Sequence, residues 1–319
     1  MTTSTRSLTG FLLPIDTMEA SMNAIHLAGL MAAALPGRLK KISLLHVVSG
    51  SYFSRHMKNI DFRVDYILQS EQIRNLKKQH IAQKIEPELK KVEETLRASG
   101  TQVPIDLAVK DGDPAGQILN LAATGDFSTI IMERRGRSEL RDVTLGSIST
   151  SLLHSKVKSS IYLVGDKQAN SGYPLSKSLI AIDGSEHSDK ALHEAAELLA
   201  GFNDPIEEVV LLHVIDVLQN EAQSNTAGSP KDMAHSLLAK AAKVLIAKGI
   251  DAHKIKKVVG YGHPVDTLVA EISQRDSAMI FMGRRGRTGL QELFMGSVTR
   301  GVIYRCPKPT IALILAGRP

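Results

Sequence analysis

The segment GFLLPIDTMEAS at residues 10–21 returns as SLIAIDGSEHS at 178–188, and four further segments return after it in the same order. KISLLHVV is matched by EVVLLHVID, KDGDPAGQIL by GYGHPVDTLV, STIIMERRGRSELRDVTLGSIST by AMIFMGRRGRTGLQELFMGSVTR, and SSIYLVG by TIALILA. Five matches in one order identify a duplicated domain. The copies are expected at residues 1–166 and 176–319, joined by the Gly-, Ser-, Asn- and Pro-containing stretch GDKQANSGYPLSK. Asp16 pairs with Asp183 and His46 with His213 at a spacing of 167, whereas Pro114 and Pro264, Gly136 and Gly286, and Gly146 and Gly296 lie 150 apart. The first copy therefore carries 17 additional residues between His46 and Pro114. That stretch is charged and helical in pattern, so an elongated helix or additional helical turns is the simplest account.

Within each copy, short apolar runs alternate with longer stretches of helical periodicity. FLLPID, ISLLHVV, VPIDLAV, TIIMER and SIYLVG read as buried strands, nearly continuous in apolar residues. MNAIHLAGLMAAAL and PAGQILNLAAT carry apolar residues at helical spacing. Strand–helix alternation predicts right-handed crossovers and a doubly wound parallel sheet in each copy. Such a sheet binds ligands beyond the carboxyl ends of its strands, where the strand order reverses. His46 and His213 fall inside apolar strands and are expected to be hydrogen-bonded core histidines rather than bases.

The most informative stretch is MGRRGRTGLQELFMGSVT, residues 282–299. It leaves a strand at Gly283, turns through Gly286 and enters a helix at Gly296-Ser297. Glycine allows a close approach of backbone to ligand, and a helix N-terminus offers free N–H groups to an anion. Ser297 and Thr299 add hydroxyl donors, and Arg284, Arg285 and Arg287 add positive charge. Without a ligand the same residues suit a tight turn with a serine N-cap. The P-loop pattern G-x-x-x-x-G-K-[ST] is absent. The glycines run G-x-x-G-x-x-G after a late strand, which disfavours a dinucleotide fold.

The spacing Gly283, two residues, Gly286, nine residues, Gly296-Ser297 resembles the ATP-binding signature of universal stress proteins. Asp183 at the end of a first strand and Val214 at the end of a second match that family's pattern too. The resemblance implies two tandem Rossmann-like domains of the adenine nucleotide alpha hydrolase type, each a five-stranded parallel sheet flanked by helices. It implies that ATP, with Mg2+, is the ligand of the second copy. Ala181, Ile182 and Asp183 would meet ribose or adenine, and the backbone of Val214 would read the adenine edge. Met282 and Gly283 would pack on the ribose, with Arg285, Gly286, Gly296, Ser297, Val298 and Thr299 around the phosphates. Asp183 also suits a plain N-cap of the following helix. Family members dimerise through the last strand, so SSIYLV and TIALIL are expected to pair within the chain as an internal pseudo-dimer, with a further homodimer left open.

The first copy keeps Asp16, Val47, Gly136, Gly146 and Ser147, but Glu133 stands where the signature has its first glycine. A carboxylate about 4 Å from a phosphate costs about 1 kcal/mol per charge pair in water and about 4 at an effective dielectric of 20. The first copy is therefore expected to bind ATP weakly or not at all, unless Glu133 pairs with Arg134, Arg135 or a metal ion.

No catalytic constellation is evident: no G-x-S-x-G elbow, no metal-ligating His and Cys pattern, no S-G-G-x-D-S loop after the first strand. The lone Cys306 reads as a small hydrophobe and fits a reducing cytoplasm. No apolar run reaches the roughly 18 residues that a bilayer span needs. The formal charge of +6 is spread out and aromatics are 4%, which argues against a nucleic-acid surface. The expected role is an ATP-binding stress sensor or regulator with protein partners that the sequence does not name. A nucleotide-independent adaptor and a slow ATPase are the alternatives.

Overall fold

The computed structural model describes residues 8–50, 71–135, 145–165, 174–202, 205–216, 229–286 and 295–315. The first half runs β1 (Gly10–Pro14), a 3-10 turn (Glu19–Ser21), α1 (Met22–Ala33), β2 (Lys41–Val48), α2 (Glu71–His80) and α3 (Glu86–Ala98). It continues with β3 (Ile105–Asp111), α4 (Pro114–Thr124), β4 (Thr129–Glu133), α5 (Ser147–Leu153) and β5 (Ser160–Val164). The second half repeats the order with β6 (Lys177–Ala181), α6 (Glu186–Ala200), β7 (Glu208–Ile215), α7 (Pro230–Ala247) and β8 (Ile255–Tyr261). It closes with α8 (Pro264–Gln274), β9 (Met279–Gly283), α9 (Ser297–Arg305) and β10 (Thr310–Ile314).

Ten strands form one sheet in the order β3-β2-β1-β4-β5-β10-β9-β6-β7-β8. Each half contributes five parallel strands, as expected, and the halves meet where β5 and β10 run antiparallel, with Ala312 opposite Tyr162. The two final strands thus close on each other, making the internal pseudo-dimer. Strand alternation sorts the core into two layers. One face packs α1, α3, α6 and α7 over residues such as Phe11, Tyr162, Phe281 and Ala312. The other packs α4, α5, α8 and α9 over Leu12, Ile161, Ile280 and Leu313. Each layer is continuous across the seam.

Local sequence explains the helix starts. Asp113 caps α4, accepting from Gly116 N at 2.7 Å, with Pro114 in the first turn. Ser185 caps α6, accepting from Ser188 N at 3.2 Å, with Glu186 and Asp189 at the positive end of the helix. The extra length of the first copy shows as a helical run from Glu71 to Ala98, with a π-helical turn at Ile81–Ile85, against Pro230–Ala247 in the second. Lys77 ties this extension to the end of β3 through Asp111, at 3.0 Å.

The seam is held by hydrogen bonds and ion pairs as well as by apolar contact. Glu194 of α6, 2% exposed, accepts from Tyr162 Oη at 2.8 Å and Ser160 Oγ at 2.9 Å, both on β5 of the other half. Burial raises its carboxyl to about 7, and burial beside that carboxylate raises the Tyr162 hydroxyl well above its usual range. One turn further, Glu197 pairs with Arg38 of the first half and Lys248 of the second.

Candidate functional site

In the second half the strand order reverses between β6 and β9, which pair with Ile180 beside Phe281. Asp183 follows β6, and Gly283 ends β9. The chain turns after Asp183 through Gly184, whose φ of 79° suits glycine. Asp183 does not cap α6; Ser185 does. Instead, Asp183 Oδ1 accepts from Ser185 N at 2.8 Å, and its own N–H donates to Ser188 Oγ at 3.3 Å. His213 on β7 reaches the Ile182 carbonyl with Nδ1 at 2.6 Å, and His46 reaches that of Ile15 at 2.9 Å. Both histidines are buried and hydrogen-bonded, as expected, and each holds the peptide just before its aspartate. Burial lowers the pKa of His46. Ala181 and Val214 are half-buried at the strand ends, while Ile182 and Met282 are buried in the core.

Two motif glycines answer to close approach. A Cβ on Gly283 would lie 2.7 Å from the Cβ of His187 and 2.9 Å from its backbone carbon; one on Gly286 would lie 2.9 Å from Asp183 Oδ2. The loop backbone is thereby pressed against the first turn of α6 and against the aspartate. His187, which the motif reading did not include, faces this point. Partial burial and the neighbouring Arg285 charge lower its pKa. The loop returns at Gly296, whose N–H donates to the Arg284 carbonyl at 3.0 Å. Gly296 is the N-cap of α9 and, as a glycine, supplies no side chain to cap the first turn. Ser297 is exposed and Val298 half-buried there.

Two side chains correct the sequence expectation. Thr299 is buried and donates to the Gly283 carbonyl at 3.0 Å, so its hydroxyl braces the loop. Arg284 does not point at the loop. It is 2% exposed and crosses the seam to the carbonyls of Leu153 (2.6 Å), Ser155 (2.5 Å) and Val157 (3.4 Å) at the end of α5. Burial, with the Arg285 charge beside it, lowers its guanidinium to about 10. Arg285 is half-buried; Arg287 lies outside the described residues.

In the first half, Asp16 is exposed and Val47 half-buried at the corresponding strand ends, Gly146 caps α5, and Ser147 is exposed. Gly136 lies outside the described residues. The geometry adds a partner for Glu133 that the sequence did not name. Glu133 Oε1 accepts from Ala24 N, in the first turn of α1, at 3.0 Å, so the carboxylate serves a helix N-terminus. The Arg134 guanidinium crosses the seam to the carbonyls of Ile303, Cys306 (3.1 Å) and Pro309 (3.5 Å). The two halves have exchanged bulk. Glu133 with Ala20 in one corresponds to Gly283 with His187 in the other, at the same offsets. Thr17 replaces Gly184, and a 3-10 turn replaces the first turn of the helix. Glu133→Gly, which uncaps α1 and leaves the volume unfilled, is expected to lower stability by about 1 kcal/mol. A thermal melt checks this, and no nucleotide binding should be gained, because Thr17 and Ala20 still shape the turn.

Among the described residues, no helix is long and apolar enough to cross a membrane. A universal stress protein of Mycolicibacterium smegmatis is 29% identical over 194 residues, 60% of this chain and 63% of that protein, under two thirds of its length. One from Methanocaldococcus jannaschii is 29% identical over 124 residues, 34% of this chain and 76% of that one. The solved universal stress protein of Archaeoglobus fulgidus shares the fold at 21% identity and a TM-score of 0.64, covering 97% of this chain and 98% of that one. The model of the universal stress protein family matches residues 10–158 and again 175–313, and the chain belongs to that family as a tandem of two of its domains.

Proposed function

We propose that the second half binds an adenine nucleotide, ATP with Mg2+, and works as a nucleotide-dependent regulator in a stress response. The observation that carries this reading is the start of α9 at Gly296, an N-cap without a side chain, beside the bare backbone of Gly283 and Gly286. Free N–H groups at a helix start favour phosphate oxygens, and a Cβ at either glycine would close the approach. Ser297 and the backbone of Val298 would hold phosphates, Asp183 the ribose or adenine, and Val214 the base edge. Mg2+ would be carried in with the nucleotide's phosphates rather than held by a cage of protein ligands. We assign no catalytic residue: both strand histidines are engaged with backbone carbonyls. Bound nucleotide would bias shape or partner choice by its differential affinity for two states.

The test is to denature freshly purified protein and identify the released small molecules by chromatography and mass. About one adenine nucleotide per chain is the expected result. Nearly two would give the first half a working site. An empty protein that also ignores Mg-ATP in calorimetry would overturn the reading in favour of a nucleotide-independent adaptor.

A further inference from the structure

Arg134 and Arg284 occupy matching positions, each one residue past the end of a strand, and each side chain holds the other half's loop helix. Following the contacts gives a closed circuit. The Arg134 carbonyl accepts from Gly146 N at 2.9 Å at the start of α5, and carbonyls at and just beyond the end of α5 accept from the Arg284 side chain. The Arg284 carbonyl accepts from Gly296 N at 3.0 Å at the start of α9, and carbonyls at the end of α9 accept from the Arg134 side chain. Arg134 N–H and Arg284 N–H donate to Val164 and Ile314, the last residues of the two seam strands. Both guanidinium groups sit where a helix end is negative, which is where a cation stabilises it.

We propose that this ring couples the two halves, with Arg134 of the first half acting as a positioning residue that sets the affinity of the second half's site through α9. The ligand part of this inference rests on the nucleotide reading above. A planar fork that reaches carbonyls at Ile303, Cys306 and Pro309 fixes where α9 ends. The helix is nine residues long, so fixing its end fixes the placement of its first turn. The half that has lost the signature glycine thus keeps an influence on the half that retains it.

The experiment uses the full chain in the parent form and as Arg134→Gln and Arg134→Lys, with two readouts. Amide exchange by NMR is followed at Gly296 and Arg300, the far end of α9, and at Cys306, the near end. Calorimetry gives the Kd for Mg-ATP. Arg134→Gln is expected to speed exchange at Gly296 and weaken Mg-ATP binding, each by about tenfold, typical of coupling between sites. Arg134→Lys, which keeps the charge but loses the fork, should fold as the parent does and fall between. Faster exchange confined to Cys306, with an unchanged Kd, would overturn the proposal. A parent protein that binds no nucleotide would remove the nucleotide reading alone, and the Gly296 amide would still decide whether the ring transmits.

Discussion

Gly283→Ala is expected to empty the second site of nucleotide and to lower stability by about 1–3 kcal/mol, the usual cost of forcing a carbon into filled space. The new Cβ would meet the His187 Cβ at 2.7 Å, its backbone carbon at 2.9 Å and the Arg285 carbonyl at 3.0 Å. The backbone of α6 cannot yield as the end of a flexible side chain can, so the loop must move, and Asp183 and Gly286 move with it. Thermal melting and Mg-ATP calorimetry read the two effects. A companion His187→Gly should recover part of the stability, since it removes one of the contacts. Gly296→Ala is the control: nothing would approach its Cβ closer than 3.5 Å, and the φ and ψ of −58° and 147° are open to any residue. Equal melting losses for the two alanine variants would show that crowding against α6 is not the reason for glycine at 283.

The second large effect is a dependence on pH. Glu194 is buried at the seam, and burial raises its carboxyl from an ordinary 4.5 to about 7, against the smaller opposing pull of its hydrogen bonds to Tyr162 and Ser160 and of the Arg38 charge. A carboxyl held higher in the folded than in the unfolded chain binds more protons when folded. Its contribution is then fully favourable below about pH 4.5 and is lost as pH rises through about 7. The whole span is worth about 3 kcal/mol. Glu194→Gln should therefore match the parent near pH 5 and exceed it near pH 8, in denaturant titrations at the two pH values. A glutamine variant no more stable than the parent at pH 8 would mean that the carboxylate is better compensated at the seam than its burial indicates.

The duplication and the parallel sheets were legible because they rest on apolar periodicity and repeated order, which tertiary context rarely overrides; the pairing of β5 with β10 was legible only through the resemblance to universal stress proteins. The direction of the arginines was not read, although alternation carries it. Met282 faces the layer that contains α5 and α9; Gly283 faces the other; Arg284 returns to the first. The charge of RRG faces a phosphate only if the loop begins at the glycine, whereas the strand geometry persists for one more residue. The partner of Glu133 was equally out of reach of the motif: its carboxylate accepts from Ala24 N in the first turn of α1. Only the offsets could have signalled this, because Ala20 is small where His187 is large. Ser185, rather than Asp183, caps α6 because Gly184 carries the chain through a left-handed turn first.

The antiparallel seam between β5 and β10 has a genetic consequence. In an assembly of two identical chains, every substitution at such a seam appears twice, and both copies must tolerate it. Here β5 and β10 belong to one polypeptide, and the tether holds them at an effective concentration on the order of millimolar. Each substitution appears once, and its counterpart can stay as it was. Glu133 with Ala20 on one side and Gly283 with His187 on the other is the kind of divergence that such freedom allows: one ancestor's symmetry retained in the backbone and released in the side chains.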